Sequence, residues 1–573
     1  RQSVPAYSFR TVSTLQRPTL AHAKFTLLND IFFFNLVITY LSVIGFCFMA
    51  MTADKPTEFD DVLKNFNVFG RYHSVFLFFT FLAFAANSIF CSNYVFAAEE
   101  VGYRCKDESF GENACYTTGS DNQTIRCKEW VYDNPHSFVA EFQLACHEWK
   151  RTLVGTAHSF GYMVGLLIVG PLSDRLGRKL TLVITGVLGG ILGLVRSFSA
   201  WYWLYILLEF LEAAIGDNCS PMFILTIEVV STKKRALFYV LCCFGYAFGG
   251  VMLPTAAWLF PYWRTFLRVI YTPALFFFLY LFTIDESPRW LLTKGRKAEA
   301  IAIIERAAAK NKIVIDRAVL EKLEYEEEKG LRFMELLKIT FSSKTLAKRC
   351  LICIVWWTTS TFVNFGMTIN SVSLQGNKYL NYMLMSLVDI PGNLFILYIL
   401  NHFKRKIPLI TSFIVGAALC LSQPFVPSYL PWLSISFYMA GKLMSSFYFN
   451  ITYMFTSELF PTYTRNSMHA LCSSLGRIGS MLAPQTPLLM HYWSGLPPIV
   501  FGGASLVAGL VTFLVPDTAE NSLPNTVKEA EALGNDKTSK NKTKDGGEIN
   551  LAFTKEDTGL NLVVNKEAHL SRL

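Results

Sequence analysis

The chain has 573 residues, of which 52% are hydrophobic and only 17% charged. A soluble chain of this size carries about a quarter charged residues, so the composition points to a membrane protein. The net charge of +9 does not indicate nucleic acid, because Lys and Arg fall in short loops between apolar runs rather than along one stripe.

A bilayer core takes about 20 apolar residues per helix. Runs of that kind lie at 72–97, 152–170, 180–197, 202–227, 236–259 and 266–284, and again at 350–371, 379–401, 408–424, 430–455, 466–490 and 497–516. The expected fold is an all-α membrane protein of twelve spans in two lobes. Residues 51–284 form the first lobe with an outer loop at 98–150, 285–348 a cytoplasmic linker, 349–516 the second lobe and 517–573 a polar tail. Within the linker, Lys294–Lys310 alternates charge with Ala and Ile at helical spacing, which predicts an amphipathic helix. Tail residues 535–547 read as disordered.

Basic clusters follow the second run (Arg175, Arg178, Lys179), the fourth (Lys233, Lys234, Arg235), the eighth (Lys404, Arg405, Lys406) and the tenth (Arg465). All fall on one side of alternating spans, which the positive-inside rule makes cytoplasmic. Loop 98–150 then lies outside. It holds the glycosylation sequon at Asn122 and four cysteines, Cys105, Cys115, Cys127 and Cys146, candidates for disulfides whose three possible pairings stay open. Their spacings lack the short pairs of a zinc site, so no metal is expected.

Residues 28–51 form a further apolar run preceded by Arg10, Arg17 and Lys24, which conflicts in orientation with the run that follows. Residues 1–50 therefore read as a doubtful extension, with an extra helix or a cleaved signal as the other readings.

The two halves repeat. Gly170-Pro-Leu-Ser-Asp174-Arg175-Leu-Gly177-Arg178-Lys179 follows the second run, and Asn401-His-Phe-Lys404-Arg405-Lys406 follows the eighth. Glu228 precedes Arg235 by seven positions, as Glu458 precedes Arg465. Such order is that of parallel repeats in two-lobed carriers. These residues form a candidate conformational gate. Asp174 is placed for a helix N-terminus, Arg178 and Arg235 for pairing with Glu228, and Arg405 and Arg465 with Glu458. The bland reading is a static ion pair or a topology anchor.

Gly170–Lys179 resembles the signature loop of the major facilitator superfamily. Phe59-Asp-Asp-Val-Leu, Trp263-Arg264, Glu286-Ser-Pro-Arg-Trp-Leu-Leu, Ala308-Ala-Lys-Asn311, Glu458-Leu-Phe-Pro461-Thr and Arg465-Asn466 resemble solute carrier family 22 over roughly 59–530. The resemblance implies alternating-access transport of small organic cations, anions or zwitterions without ATP. It implies no cofactor, and as partners a small organic ion and the lipid bilayer of a plasma membrane. The chain departs at Glu209, where the family usually has Arg, and at Asn401 and Lys404, where Asp and Gly are common.

Charges inside spans cost about 2.5–3.5 kcal/mol each on insertion scales, so each needs a partner or a task. The fourth run holds Glu209, Glu212 and Asp217, the eighth Asp389, the tenth Lys442 and the eleventh Arg477. These form a candidate substrate cavity. The resemblance gives Arg477 a carboxylate to bind, since the family's anion and carnitine-type members tend to have Arg there. Acids in one lobe and Arg477 in the other suit a zwitterion; the competing readings are cross-lobe gating pairs and a substrate of one sign. Tyr246, Trp356, Trp357, Phe365 and Tyr448 are aromatic candidates for the cavity wall, or else packing residues. The chain has no phosphate-binding loop of the G-x-x-x-x-G-K-[ST] kind, no H-E-x-x-H and no G-x-S-x-G elbow, which disfavours an enzyme. A sugar carrier of the same superfamily and a non-transporting sensor are the alternatives.

Overall fold

The computed structural model describes residues 62–64, 66, 70–106, 115–118, 124–231, 235–315, 317–321, 333–402, 405–427, 429–517, 524 and 527–533. Asn122, Lys233, Lys234, Lys404, the extension 1–50 and residues 535–547 lie outside them.

Helices fall where the apolar runs stand. The first span is Arg71–Ser92, continued by Tyr94–Ala97; the second is Glu148–Leu176 and the third Arg178–Arg196. The fourth is broken into Tyr202–Ile215 and Cys219–Val229, the fifth is Arg235–Leu259, and the sixth runs from Trp263–Tyr271 through Thr272–Leu279 to Tyr280–Thr283. The second half holds Lys344–Asn370, Lys378–His402, Lys406–Ser422, Pro431–Glu458, Thr462–Leu482 with its extension Ala483–His491, and Leu496–Thr512. Among the described residues, seven helices are long and apolar enough by themselves to cross a bilayer. The fourth is interrupted, the twelfth is 17 residues long, and the eighth, tenth and eleventh carry Asp389, Lys442 and Arg477. Polar residues are tolerated in a span that faces a bundle interior rather than lipid.

Each lobe has its own apolar core. In the first, span 1 packs on span 5 and span 2 on span 4; in the second, span 7 packs on span 11 and span 9 on spans 10 and 12. The lobes meet along span 5 against span 8 and span 2 against span 11. Glycine permits the first of these contacts. A Cβ at Gly250 would collide with the Ser386 side chain of span 8; Gly249 serves the packing inside the lobe, where a Cβ would meet the Ala85 carbonyl of span 1.

Between the lobes, a 15-residue helix, Lys297–Asn311, lies against the start of span 1, where Tyr72 N donates to Asn311 Oδ1 at 3.0 Å. The opposite face carries loop 98–150. There β1 (Tyr103–Cys105) pairs antiparallel with β4 (Trp130–Tyr132), and β2 (Tyr116–Thr118) with β3 (Thr124–Arg126). The structure resolves the open pairing as Cys105–Cys127 and Cys115–Cys146. Glu141 docks this loop on span 6, accepting from Trp263 Nε1 at 2.7 Å and Arg264 Nη2 at 2.6 Å. Exposed Trp201, Trp203, Trp258, Tyr429, Trp432 and Tyr492 ring the same loop face at helix ends, as amphipathic aromatics do at a membrane interface.

Candidate substrate cavity and gates

On the linker face, the loop between spans 2 and 3 turns at Gly177, whose φ of 101° lies in the region that L side chains rarely adopt. Three carboxylates converge on the residue that follows. Arg178 meets Asp174 at 2.8 Å and Glu228 at 3.2 and 3.3 Å, a forked contact from the start of span 3 to the end of span 4. The capping role expected of Asp174 belongs instead to Glu286, which accepts from Arg178 N at 3.0 Å and Lys179 N at 3.1 Å. Asp174 sits in the last turn of span 2 and bonds the Arg178 side chain rather than a backbone N–H of span 3. Burial pushes the Glu286 carboxyl above its ordinary range, against the pull of the backbone N–H groups of Ser287, Lys179 and Arg178. The repeat is visible in space. Arg405, at the start of span 9, meets Glu458, at the end of span 10, at 3.2 Å. Arg175 ends span 2, Arg235 begins span 5 and Arg465 lies in the first turn of span 11.

Deep in the first lobe the acids of span 4 have partners of their own. Glu209 bonds Arg196 of span 3, and His158 Nδ1 of span 2 lies 2.9 Å from its other oxygen. Glu212 lies 3.7 Å from both Arg196 and His158. Arg196 also donates to Asn93 at 2.8 Å and to the Tyr271 hydroxyl at 3.1 Å, and lies over the Tyr205 ring. His158, Glu209 and Glu212 together have the donor set of a metal site, but the Arg196 guanidinium is already paired with both carboxylates. Glu209 and Glu212 are 0% and 1% exposed, so the cavity reading of these two is corrected: they neutralise charge inside the lobe. The sequence reading missed Arg196 and His158. Arg196 closes its apolar run, where a basic residue passes for a loop anchor.

Asp217 is also buried. It accepts from Cys219 N at 3.1 Å, Ser220 N at 3.2 Å and Ser220 Oγ at 2.5 Å, so it serves the break in span 4 by starting its second half. Trp356 and Tyr448 are corrected likewise. The Trp356 indole donates to Thr512 Oγ1 at 2.9 Å and its ring stacks on Phe455, while Tyr448 stacks on Phe413 at 4.3 Å. Both fill the core of the second lobe, as does Trp357, whose indole meets Thr456 at 3.1 Å.

Along the seam between lobes stands Phe365, which packs against the first lobe's core from span 7, while Tyr246 lies on span 5, the helix that meets span 8 of the other lobe. Asp389 has 28% of its side chain exposed, pairs with Lys442 at 3.4 Å and accepts from Ser446. Lys442 is further held by Asn364. Arg477 differs. Its guanidinium lies 5.0 Å over the Tyr162 ring of span 2, and it forms no ion pair among the described residues.

The loop-face end of the seam is closed. Lys378 of span 8 bonds Glu99 at the end of span 1; Thr152 donates to Gln485 at 2.9 Å, and Gln485 Nε2 donates to Thr156 at 2.7 Å. A cavity of about 120 Å³ remains among them, lined by Glu99, Glu100, Arg151, Gly155, Lys378 and Pro484. None of these residues was singled out as a site by sequence, because charged residues near helix ends pass for surface residues and Gly155 and Pro484 carry no chemistry of their own.

Two six-helix lobes around a polar seam, shut at one end, define a membrane carrier of the major facilitator fold. The structure resembles the xylose transporter XylE from E. coli in a partially occluded inward-open conformation, with a TM-score of 0.54 at 16% identity, covering 82% of this chain and 100% of that one. It resembles the inward-open form of the same transporter with a TM-score of 0.51 at 18% identity, covering 83% and 100%. The family model described as "Sugar (and other) transporter" matches residues 113–527. The chain is 32% identical to solute carrier family 22 member 1 of Bos taurus, over 73% of this chain and 75% of that one. It is 32% identical to the organic cation transporter protein of Drosophila melanogaster (76% and 81%), and 31% to solute carrier family 22 member 2 of Homo sapiens (76% and 78%). The chain belongs to solute carrier family 22.

Proposed function

We propose that this chain is a secondary transporter that moves small organic ions bearing a carboxylate by alternating access. Arg477 carries the reading. Arg196 and Lys442 each have a carboxylate within 4 Å, whereas Arg477 has none among the described residues. A guanidinium held at a lobe seam with an open side takes a carboxylate in a forked geometry. Asp389, 28% exposed, supplies an acid for an ammonium, so a betaine uses both charged groups of the seam. The linker face is the cytoplasmic one and the membrane is the plasma membrane; the Arg178–Glu228 and Arg405–Glu458 contacts act there as gates, and the Lys378–Glu99 contact as the outer one. No reaction is catalysed and no nucleic acid is bound.

A second reading, an organic cation, is favoured by the partly exposed carboxylate of Asp389 and by the name of the Drosophila relative. Uptake by cells expressing the chain separates the two, with a quaternary ammonium, a dicarboxylate and a betaine as labelled probes. Betaine or dicarboxylate uptake lost in Arg477→Ala is the expected result. Uptake of the quaternary ammonium alone, unchanged in that variant, would overturn the carboxylate reading.

A further inference from the structure

A second cavity, of about 330 Å³, opens on the linker face where span 1 begins, span 6 ends and the linker helix stops. Its wall includes Arg71, Val75, Thr283, Asp285, Lys310 and Lys312. The local sequence builds it. Asn311 ties the linker helix to span 1 through Tyr72 N at 3.0 Å, and Lys312 ends that helix in the left-handed conformation (φ 56°). Arg71, Lys310 and Lys312 are thereby brought together, all exposed and none in an ion pair among the described residues. Lys310 Nζ lies 5.6 Å over the Tyr72 ring. The one acid in the wall, Asp285, is paired with Arg306 at 2.7 Å, so three cations stand uncompensated. The start of span 1 adds its partial positive charge: its first turn holds no acid and Gly70 gives it no side-chain cap.

Apolar surface continues from this pocket toward the loop face. Val75, Phe78 and Leu82 on span 1, with Leu279 and Phe282 on span 6, are exposed, Phe282 by 80%. A purely soluble anion has no use for such a wall; a lipid uses both parts. We propose that this pocket binds the phosphorylated headgroup of an anionic phospholipid, with the acyl chains along spans 1 and 6. The proposal takes from the preceding topology only the leaflet concerned, the cytoplasmic one. Its ligand would hold the linker helix against the first lobe.

The test uses the purified full chain in detergent, which has no sides, so the outcome is independent of topology and of transport. Dioctanoyl phosphatidylinositol 4,5-bisphosphate, dioctanoyl phosphatidylcholine and free inositol 1,4,5-trisphosphate are titrated, with adducts counted by native mass spectrometry and the melting temperature followed. The bisphosphorylated lipid is expected to bind and to raise the melting temperature. The Lys310→Ala/Lys312→Ala pair should weaken it at least tenfold, and Arg71→Ala severalfold, whereas Lys294→Ala on the same linker should leave it unchanged. Arg71→Ala alone keeps the test open where the double variant melts abnormally without ligand. Equal binding of the phosphatidylcholine, or undiminished binding by the variants, would overturn the proposal. Binding of the free headgroup as tight as that of the lipid would overturn it in favour of a soluble-anion site.

Discussion

Two arginines lie between helices of this molecule, and their surroundings could hardly differ more. Arg196 is enclosed by Glu209, Glu212, His158, Asn93 and Tyr271 within one lobe. Arg477 stands between lobes against Tyr162, with no carboxylate within 4 Å among the described residues. A charge paired with carboxylates of its own lobe belongs to one packed state and holds it. A charge left open at a moving seam is a cost that the lobe interior does not offset, and a ligand does. Sequence proximity misleads here: the acids of span 4 look like cavity residues until span 3 supplies their counter-charge.

The comparison breaks first at Arg196. Arg196→Met leaves buried carboxylates uncompensated and should cost about 3–5 kcal/mol, read as a large fall in melting temperature or loss of folded protein. Adding Glu209→Gln should recover part of it; an unaltered melt for the single variant would show the cluster to be incidental. Arg477→Ala should do the reverse, changing the melt little while lowering carboxylate uptake about 10- to 100-fold, the equivalent of about 1.5–3 kcal/mol for a charged hydrogen bond. At the signature loop, Gly177→Ala forces a side chain onto positive φ and into Glu286, for an expected loss of about 1–2 kcal/mol seen by thermal unfolding. Lys378→Ala opens the loop-face seal only slightly, since a half-exposed pair contributes about 0–1 kcal/mol. Faster labelling of a Thr156→Cys probe by an impermeant thiol reagent would register it.

The smallest effect is in the outer loop, where hydrogen bonding to Lys106 lowers the Glu129 carboxyl below its ordinary value of 4.5. A lowered acid contributes stability above its unfolded value and loses it as pH falls through the folded one. The loop pair should therefore persist at neutral pH and vanish only in acid. With both side chains exposed, Glu129→Gln should leave the neutral melt unchanged.

Much of the site was legible. The Gly170–Lys179 loop and its degraded partner led to Arg178–Glu228 and Arg405–Glu458, because both contacts join ends of helices whose order the hydropathy already gave. Arg477 stood out as a charge within an apolar helix. Trp356 and Tyr448 misled for a simple reason: helical spacing says which residues share a face, and not whether that face meets a cavity or a neighbouring helix.

By itself the sequence determined the number and order of the apolar runs, the two-lobed repeat, the side on which basic loops gather and the four cysteines of the outer loop. These follow from hydropathy and charge, which act on each segment locally against lipid and water. Tertiary structure alone decided which cysteines pair, which carboxylates are neutralised inside a lobe, that Glu286 rather than Asp174 caps span 3, and which end of the seam is shut. Those depend on contacts between segments far apart in the chain, where a few ångströms separate an ion pair from an open charge.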